Sequence, residues 1–125
     1  MRHGLTPIWE AGVMTVQPTG RTAAIDVTVT TLAPGQRVVI DGRIDIHTVP
    51  DLRQLLRRIV DDSRGPLVID LTDAVIGDAT ALGLLVESHR RCRRAGRHMV
   101  FENACDRAER LLRAVRLLPT PAALD

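Results

Sequence analysis

The feature that most narrows the folds open to this chain is a short apolar run near its middle, Leu67-Val68-Ile69-Asp70-Leu71. Such a run is typical of a strand that is buried on both faces of a sheet. A helical pattern follows, with Asp78 at its start and Gly96 just past its end, and residues 98–101 then predict a further strand. A strand–helix–strand unit over residues 67–101 has the length of a right-handed parallel crossover, so the sequence predicts an α/β fold.

The segment before this unit predicts a β-hairpin. Residues 25–30 alternate between β-branched apolar and polar side chains, which indicates a half-buried strand. Pro34-Gly35 predicts a turn, and residues 37–41 predict the second strand. A hairpin joined to a parallel crossover predicts a small mixed β-sheet with helices packed against it.

Three helices are predicted around this sheet. Thr48 followed by Pro50 is typical of a helix start, with a hydroxyl cap and a proline in the first turn. Apolar residues at helical spacing predict the buried sides of the helices. They are Leu52, Leu55, Leu56 and Ile59 in the first helix, Leu82, Leu85, Val86, His89 and Cys92 in the second, and Ala108, Leu111, Leu112 and Val115 in the third.

The chain of 125 residues has the size of one domain. We expect this domain at residues 23–118, with a tail or lead-in at residues 1–22 and a short tail at residues 119–125. The sequence contains neither the apolar core of a signal peptide nor a run of 18 apolar residues. We therefore expect a cytoplasmic protein without membrane insertion.

Composition excludes several classes of enzyme. All 17 basic residues are arginine, so no P-loop lysine, kinase lysine or Schiff-base lysine exists here. Ser63 and Ser88 are the only serines, and neither lies in a Gly-x-Ser-x-Gly nucleophile turn. We expect no catalytic activity and no cofactor.

A dense basic run near residue 90 has three interpretations. It is a solvated helix face, a nucleic-acid patch, or a surface that meets an acidic protein, and it consists of Arg90, Arg91, Arg93, Arg94 and Arg97. The net charge is only +2, and the aromatic residues are Trp9 and Phe101 alone, so bases would find no stacking platform. We favour the solvated face and expect no direct binding of DNA.

Two histidines and two cysteines lie close enough in the sequence that a zinc site is a further alternative. The spacing of His89, Cys92, His98 and Cys105 matches none of the usual zinc-ligand pairs. His89 and Cys92 fit the buried side of a helix, so core packing is favoured and no metal site is expected.

The most informative segment is Gly77-Asp78-Ala79-Thr80-Ala81-Leu82-Gly83, where a buried strand gives way to a helix. Asp78 suits the N-cap position, and Thr80 then lies in the first turn with its hydroxyl near the positive end of the helix. The small residues Ala79, Ala81 and Gly83 leave that hydroxyl accessible. Taken alone, the segment favours a simpler interpretation, a capped helix whose small residues pack against the sheet.

A second segment, Gly42-Arg43-Ile44-Asp45, lies between the second strand and the first helix. Taken alone it is a turn that contains an acid. In a mixed sheet, the loop after the second strand and the loop after the buried strand can open at the same edge. We therefore expect Asp45 and Asp78 to flank Thr80.

Together, these segments resemble the STAS domain of anti-sigma factor antagonists. The family pattern is Gly-x-(Leu/Ile)-Asp, a hydrophobic strand that ends in an acid, and then Asp-Ser-(Ser/Thr)-Gly-Leu-Gly. The corresponding segments here begin at Gly42, Leu67 and Asp78, and the resemblance covers roughly residues 23–118. It implies a STAS-like single domain.

The resemblance also implies a function in regulation of transcription in bacteria, as in a stress response. In that family the unphosphorylated domain binds an anti-sigma factor with a GHKL-type serine/threonine kinase domain, and phosphorylation of the second hydroxyl of the motif ends the interaction. That position is Thr80, and the acids that flank the phosphorylation site are Asp45 and Asp78. The sequence leaves open whether the domain forms a homodimer.

The chain departs from the family pattern at two positions of the motif. Ala79 replaces the first hydroxyl residue, and Ala81 replaces a glycine. Ala81 keeps open a second interpretation within the family, a STAS subunit without a phosphorylation switch, such as an accessory or scaffold partner of a lipid-transport ATPase. A basic nucleic-acid-binding domain is the alternative from another class.

Overall fold

The computed structural model describes residues 12–16, 27–32 and 35–118, which form six strands and three helices. The strands are β1 (Gly12–Val16), β2 (Val27–Leu32), β3 (Arg37–Ile44), β4 (Leu67–Asp70), β5 (Ala74–Ile76) and β6 (Met99–Glu102). The helices are α1 (Val49–Asp61), α2 (Ala79–Arg94) and α3 (Asp106–Ala114).

Five of these strands form one mixed sheet in the order β1-β2-β3-β4-β6. β1, β2 and β3 are antiparallel neighbours, whereas β3, β4 and β6 run parallel. The short strand β5 pairs with the end of β3, beyond the point at which β4 stops. The predicted hairpin, the parallel crossover from β4 through α2 to β6, and the α/β fold class with a mixed sheet are confirmed.

The core lies on one face of this sheet. Alternate residues of β2 to β6 are buried there against the helices, with Gly42 as the exception, and they include Val27, Val29, Val38, Ile40, Ile44, Leu67, Ile69, Met99 and Phe101. Most of the intervening residues are half-buried or exposed, among them Val68 on β4 and Val100 on the edge strand β6, whereas Asp70 is buried. The prediction that the Leu67–Leu71 strand is buried on both faces is therefore confirmed only in part, because on the face away from the core Asp70 is 8% exposed while Val68 is half-buried.

The buried side of α2 is rotated from the predicted stripe. Its buried residues are Ala81, Leu84, Leu85, Ser88 and Cys92, whereas Leu82, Val86 and His89 are only half-buried. The small side chains of Ala81 and Ser88 allow α2 to pack closely against its neighbours. A pattern that counts only large apolar side chains cannot detect such contacts.

β1 lies in the segment that we expected to be a tail. Gly12–Val16 pairs with Val27–Thr31, so that expectation is wrong for these five residues. Their sequence shows little alternation, and the strand is defined by the pairing of its backbone with β2. The other residues of the two predicted tails, 1–11, 17–22 and 119–125, lie outside the described residues.

Residues 42–44, which we interpreted as a turn, belong to β3. The strand continues because β5 supplies a new partner, with Gly42 N donating to Asp73 O at 3.0 Å and Gly77 N donating to Ile44 O at 2.8 Å. Gly42 has a φ of 121°, a conformation that L side chains rarely adopt, and it lies where β3 changes partner from β4 to β5. β3 thereby reaches the first turn of α2.

Arg97 is buried, with an exposure of 3%. Its guanidinium donates four hydrogen bonds of 2.6–3.1 Å to backbone carbonyls of Gly35, Ile59, Val60 and Gly65. Two of these carbonyls belong to the last turn of α1, where the helix offers them no partner. The interpretation of Arg97 as part of a solvated basic face is wrong, because this side chain caps α1 and fastens it to two turns.

We expect Arg97→Met to lower the free energy of unfolding by about 2–4 kcal/mol, because it leaves buried carbonyls without a donor. Arg94→Met removes the same charge from an exposed position of α2, and we expect a change within about 0.5 kcal/mol. Urea denaturation of both variants measures the difference. Equal losses would show that Arg97 stabilises the protein no more than a surface arginine does.

Candidate functional site

The end of β3 and the start of α2 meet at one edge of the sheet, where the two predicted segments come together. The backbone N–H of Ile46, in the loop after β3, donates to Asp78 Oδ2 at 2.9 Å. The N–H of Ala81, in the first turn of α2, donates to Asp78 Oδ1 at 2.9 Å. One carboxylate therefore joins the loop that carries Asp45 to the helix that carries Thr80.

Asp78 is the N-cap of α2, as predicted, with an extended backbone conformation. Burial of this carboxyl group raises its pKa, but donors to the ionised form outweigh that effect. These donors are the backbone N–H groups of Ala81, Ile46 and Thr80, aided by the charge of Arg43, and the net result is a pKa below the usual value. Asp78 is thus held as a carboxylate.

Asp45 caps the start of α1, a function that we had assigned to the hydroxyl of Thr48. Asp45 Oδ1 accepts from the N–H groups of His47 at 2.9 Å and Thr48 at 3.3 Å. The Thr48 hydroxyl makes no N-cap hydrogen bond and instead accepts from Asp45 N at 3.1 Å. Thr48 occupies the N-cap position of α1, as predicted, but the prediction that its hydroxyl caps the helix is wrong, because its helical backbone turns the hydroxyl back towards the preceding loop.

Thr80 is the second residue of α2 and is half-buried. Its hydroxyl makes no hydrogen bond with any part of the chain that the structure describes. Ala79, which directly precedes Thr80, and Gly83, three residues after Thr80 on the same helical face, are exposed, whereas Ala81 points into the core with no exposure. On α2, the exposed residues nearest Thr80 thus have small side chains.

Two glycines of this segment have opposite surroundings. A Cβ atom on Gly77 would lie 2.9 Å from the carbonyl oxygen of Ile44 and 2.9 Å from Cζ of Arg43. A Cβ atom on Gly83 would meet nothing within 4 Å. Gly77 is therefore required by the fold, while Gly83 borders open space.

Sequence reasoning missed three residues of this site. Ile46 is a large apolar side chain with an exposure of 58%, next to the α2 N-terminus. Arg43 and Arg107 donate to the carbonyls of Gly77 and Ile76 at 3.3 and 2.6 Å, just before the N-cap. Arg43 and Ile46 lie in or beside the Gly42–Asp45 segment, which the sequence analysis had singled out, so their position in the site could have been predicted. Nothing in the sequence pattern connected Arg107 with this site.

The basic run divides into residues with different environments. Arg97 is buried, and Arg91 forms an ion pair with Asp61 at 2.7 Å. The other three arginines of the run line a cavity of about 310 Å³ on the surface of α2, and they are Arg90, Arg93 and Arg94. The basic surface is therefore smaller than the sequence indicated.

The histidines and cysteines near the end of α2 do not form a cluster. Burial raises the pKa of the Cys92 thiol, which lies in the core, and burial, together with the electrostatic interaction with Arg93, lowers the pKa of His89. Cys105 is exposed, and its Sγ caps α3 by accepting from Ala108 N at 3.5 Å. Elsewhere in the described chain too, no three His, Cys, Asp or Glu side chains are grouped as metal ligands would be.

None of the helices formed by the described residues has the length and hydrophobicity of a membrane span.

Comparison with known proteins gives a family match over most of the chain. The family model described as STAS domain matches residues 30–122. Anti-sigma-B factor antagonists of Staphylococcus aureus, among them those of strains NCTC 8325 / PS 47 and COL, are 25% identical over 87 residues. The matched region is 70% of this chain and 81% of theirs.

Solved structures of two antagonists share the fold. The anti-sigma factor antagonist SpoIIAA in its unphosphorylated form superposes with a TM-score of 0.58 at 16% identity, over 82% of this chain and 94% of that one. An anti-sigma factor antagonist from Mycobacterium paratuberculosis superposes with a TM-score of 0.52 at 22% identity, over 90% of each chain. At these identities the likeness concerns the fold alone.

We expect Gly77→Ala to lower the free energy of unfolding by about 1–3 kcal/mol, because the added methyl group meets a backbone oxygen of β3. Gly83→Ala, six residues along in the interior of α2, should instead raise it by about 0.5–1 kcal/mol through helix propensity. Thermal and urea denaturation measure both changes. Destabilisation by Gly83→Ala would show that position 83 is packed.

Asp78→Asn should lower stability by about 1 kcal/mol at pH 7, because a single amide oxygen cannot serve both Ile46 and Ala81 as two carboxylate oxygens do. The folded pKa of Asp78 is lowered, so its contribution is complete above the unfolded pKa of about 4 and is lost as the pH falls through the folded pKa. The gap between wild type and variant should therefore narrow below about pH 4.

Urea denaturation at pH 7 and pH 3 measures this gap. Asp41→Asn removes a carboxylate from an exposed position on β3 and serves as the control. An Asp78→Asn gap that stays constant between the two pH values would contradict the assignment.

Proposed function

The chain belongs to the STAS domain family, and we propose that it is an anti-sigma factor antagonist that acts by partner switching. Unphosphorylated, it binds an anti-sigma factor that carries a GHKL-type serine/threonine kinase domain, in the cytoplasm of a bacterium. The kinase transfers phosphate to Thr80, and the partner is released. The sigma factor that this partner inhibits is therefore free to direct transcription while Thr80 is unphosphorylated, and it is inhibited again after phosphorylation, as in a stress response.

The observation that carries this proposal is the environment of Thr80. Its hydroxyl has no hydrogen-bond partner among the described residues, and it lies in the first turn of a helix that Asp78 fixes in place. An acceptor for a kinase must be reachable and must not be held by other groups. Thr80 meets both conditions.

The surface around Thr80 suits a docked partner. Ala79 and Gly83 present almost no side chain, which allows the backbone of another protein to approach closely. Ile46, which is exposed beside Asp78, offers an apolar anchor at the rim. We propose that Ala79, Thr80 and Gly83 lie under the partner, with the caps Asp45 and Asp78 at the edge.

The physical basis of release is charge. Phosphorylation adds about −1.5 to −2 charge at neutral pH, and the helix N-terminus stabilises it by about 0.3–1 kcal/mol. Within an interface, a charge that must be desolvated or that meets a like charge costs several kcal/mol, which is at least a tenfold loss of affinity. Release therefore needs no refolding of the domain.

Ala81, which replaces the family's glycine, is compatible with this mechanism. It lies within α2, its methyl group is buried in the core, and its backbone is not among those with positive φ. The backbone at position 81 therefore has an ordinary helical conformation, which does not require glycine. The alternative of a STAS subunit without a phosphorylation switch remains an outcome of the experiment below.

We expect Thr80→Glu to lose the partner that wild type and Thr80→Ala retain. Immobilised proteins are incubated with lysate of the source bacterium, and bound proteins are identified by mass spectrometry. Gln36→Glu, in the turn between β2 and β3 at the other end of the sheet, adds the same charge far from Thr80 and should retain the partner. Recovery on Thr80→Glu should fall at least tenfold.

The recovered partner should contain a GHKL-type domain and, with ATP, phosphorylate wild type but not Thr80→Ala. Equal recovery on Thr80→Glu and wild type, or recovery of a transporter ATPase on both, would contradict the proposal and favour an accessory subunit. Binding by Arg90, Arg93 and Arg94 to nucleic acid with a steep salt dependence would favour the remaining alternative.

A further inference from the structure

The guanidinium of Arg43 lies between the two segments of the candidate site. Its Nε donates to Asp45 Oδ2 at 3.2 Å, and its Nη2 donates to the carbonyl of Gly77 at 3.3 Å. Both distances are at the long end of the range for hydrogen bonds to arginine. The side chain is 46% exposed, so these contacts can exchange with water or with another acceptor.

Gly77 shows how closely this guanidinium approaches the start of α2. A Cβ atom at residue 77 would lie 2.9 Å from Cζ and 3.0 Å from Nε of Arg43, so the cation packs directly over the glycine backbone. Gly77 directly precedes the N-cap Asp78, and Thr80 follows within the first helical turn. The charge of Arg43 also reaches the Asp78 carboxylate, which in turn accepts from the N–H of Thr80.

We propose that Arg43 is the cation that binds the phosphate group on Thr80, an inference that rests on the proposed function. A guanidinium forms paired, charge-assisted hydrogen bonds with phosphate, which are stronger than its long contact with a neutral carbonyl. Thr80 is less than one helical turn, about 5 Å, from the N-cap, and its phosphate extends further outward. Arg43 would then leave the Gly77 carbonyl for the phosphate.

This pairing explains how a phosphate is tolerated next to two carboxylates. Asp45 and Asp78 would repel a group with nearly two negative charges, and the helix N-terminus alone offsets only part of that cost. A phosphate bound by Arg43 is stabilised within the domain. In the unphosphorylated protein the same cation is exposed towards a partner, so phosphorylation both adds an anion to the docking surface and removes a cation from it.

Arg107 provides a matched control. It donates from Nη1 to the carbonyl of Ile76 at 2.6 Å, one residue before the carbonyl that Arg43 binds. It belongs to α3, and it donates to the carbonyl of Ile76 rather than to that of Gly77. Loss of Arg107 removes one positive charge and one guanidinium–carbonyl contact near Thr80, but not the cation that we assign to the phosphate.

The experiment uses the full chain with phosphoserine incorporated at position 80 by genetic-code expansion, in wild type, Arg43→Gln and Arg107→Gln backgrounds. A phosphorus NMR titration follows the second ionisation of the phosphate, whose pKa is about 6 when it is unpaired. We expect the ratio of singly to doubly ionised phosphate at pH 6 to rise about threefold or more in Arg43→Gln and to stay unchanged in Arg107→Gln. Circular dichroism verifies that each variant is folded.

A titration that is the same in wild type and Arg43→Gln, or one that changes only in Arg107→Gln, would overturn the inference. Because the exposed Nε–H group of Arg43 also gives its own NMR signal, a shift of that signal with the phosphate titration in the wild-type background is a second expected result. No partner protein enters this test. If partner switching is observed but Arg43→Gln does not change the phosphate titration, only the assignment of Arg43 as the phosphate-binding cation is refuted. If Arg43→Gln changes the titration as expected but partner switching fails, only the proposed function is refuted.

Discussion

The two oxygens of the Asp78 carboxylate bind two different segments of the chain, and the geometry of the site depends on this division. One oxygen fixes the first turn of α2 through Ala81, and the other fixes the loop after β3 through Ile46. β5 adds a backbone link from Gly77 to Ile44. Thr80 therefore lies at a helix end that is held against the sheet, so the proposed phosphorylation would change the charge of this surface and leave its shape the same.

The acids near Thr80 are not free groups. Asp45 caps α1 and Asp78 caps α2, so each carboxylate is already stabilised by N–H donors. The sequence placed both acids beside the hydroxyl and could not show that both also cap helices. Much of their negative charge is thus offset locally, and the potential at Thr80 also reflects the helix N-terminus and Arg43. An added phosphate competes for these donors as well as being repelled.

The sequence predicted elements with strong local signals, and the structure adds those that depend on distant partners. The crossover from β4 to β6, the N-cap at Asp78 and the helix end at Gly96 follow from local chemistry and are confirmed. Arg97 belongs to the same basic run as Arg94, yet it is buried because carbonyls more than 30 residues away need donors. No local pattern distinguishes two such arginines. The three-residue strand β5 likewise exists because β3 extends beside it.

Gly77 and Gly83 differ in whether the fold of the domain requires a glycine at their position. Gly77 is explained by packing, since any side chain would meet β3 and Arg43. Gly83 lies in a helix interior, where glycine costs about 0.5–1 kcal/mol relative to alanine, and apart from its own stretch of helix nothing in the described structure lies within 4 Å of the position that a methyl group would take. Since packing within the domain does not explain that cost, the small surface beside Thr80 is better explained by contact with another molecule. Glycine at position 83 thus carries an energetic cost that the isolated domain does not recover and that a docked partner would offset.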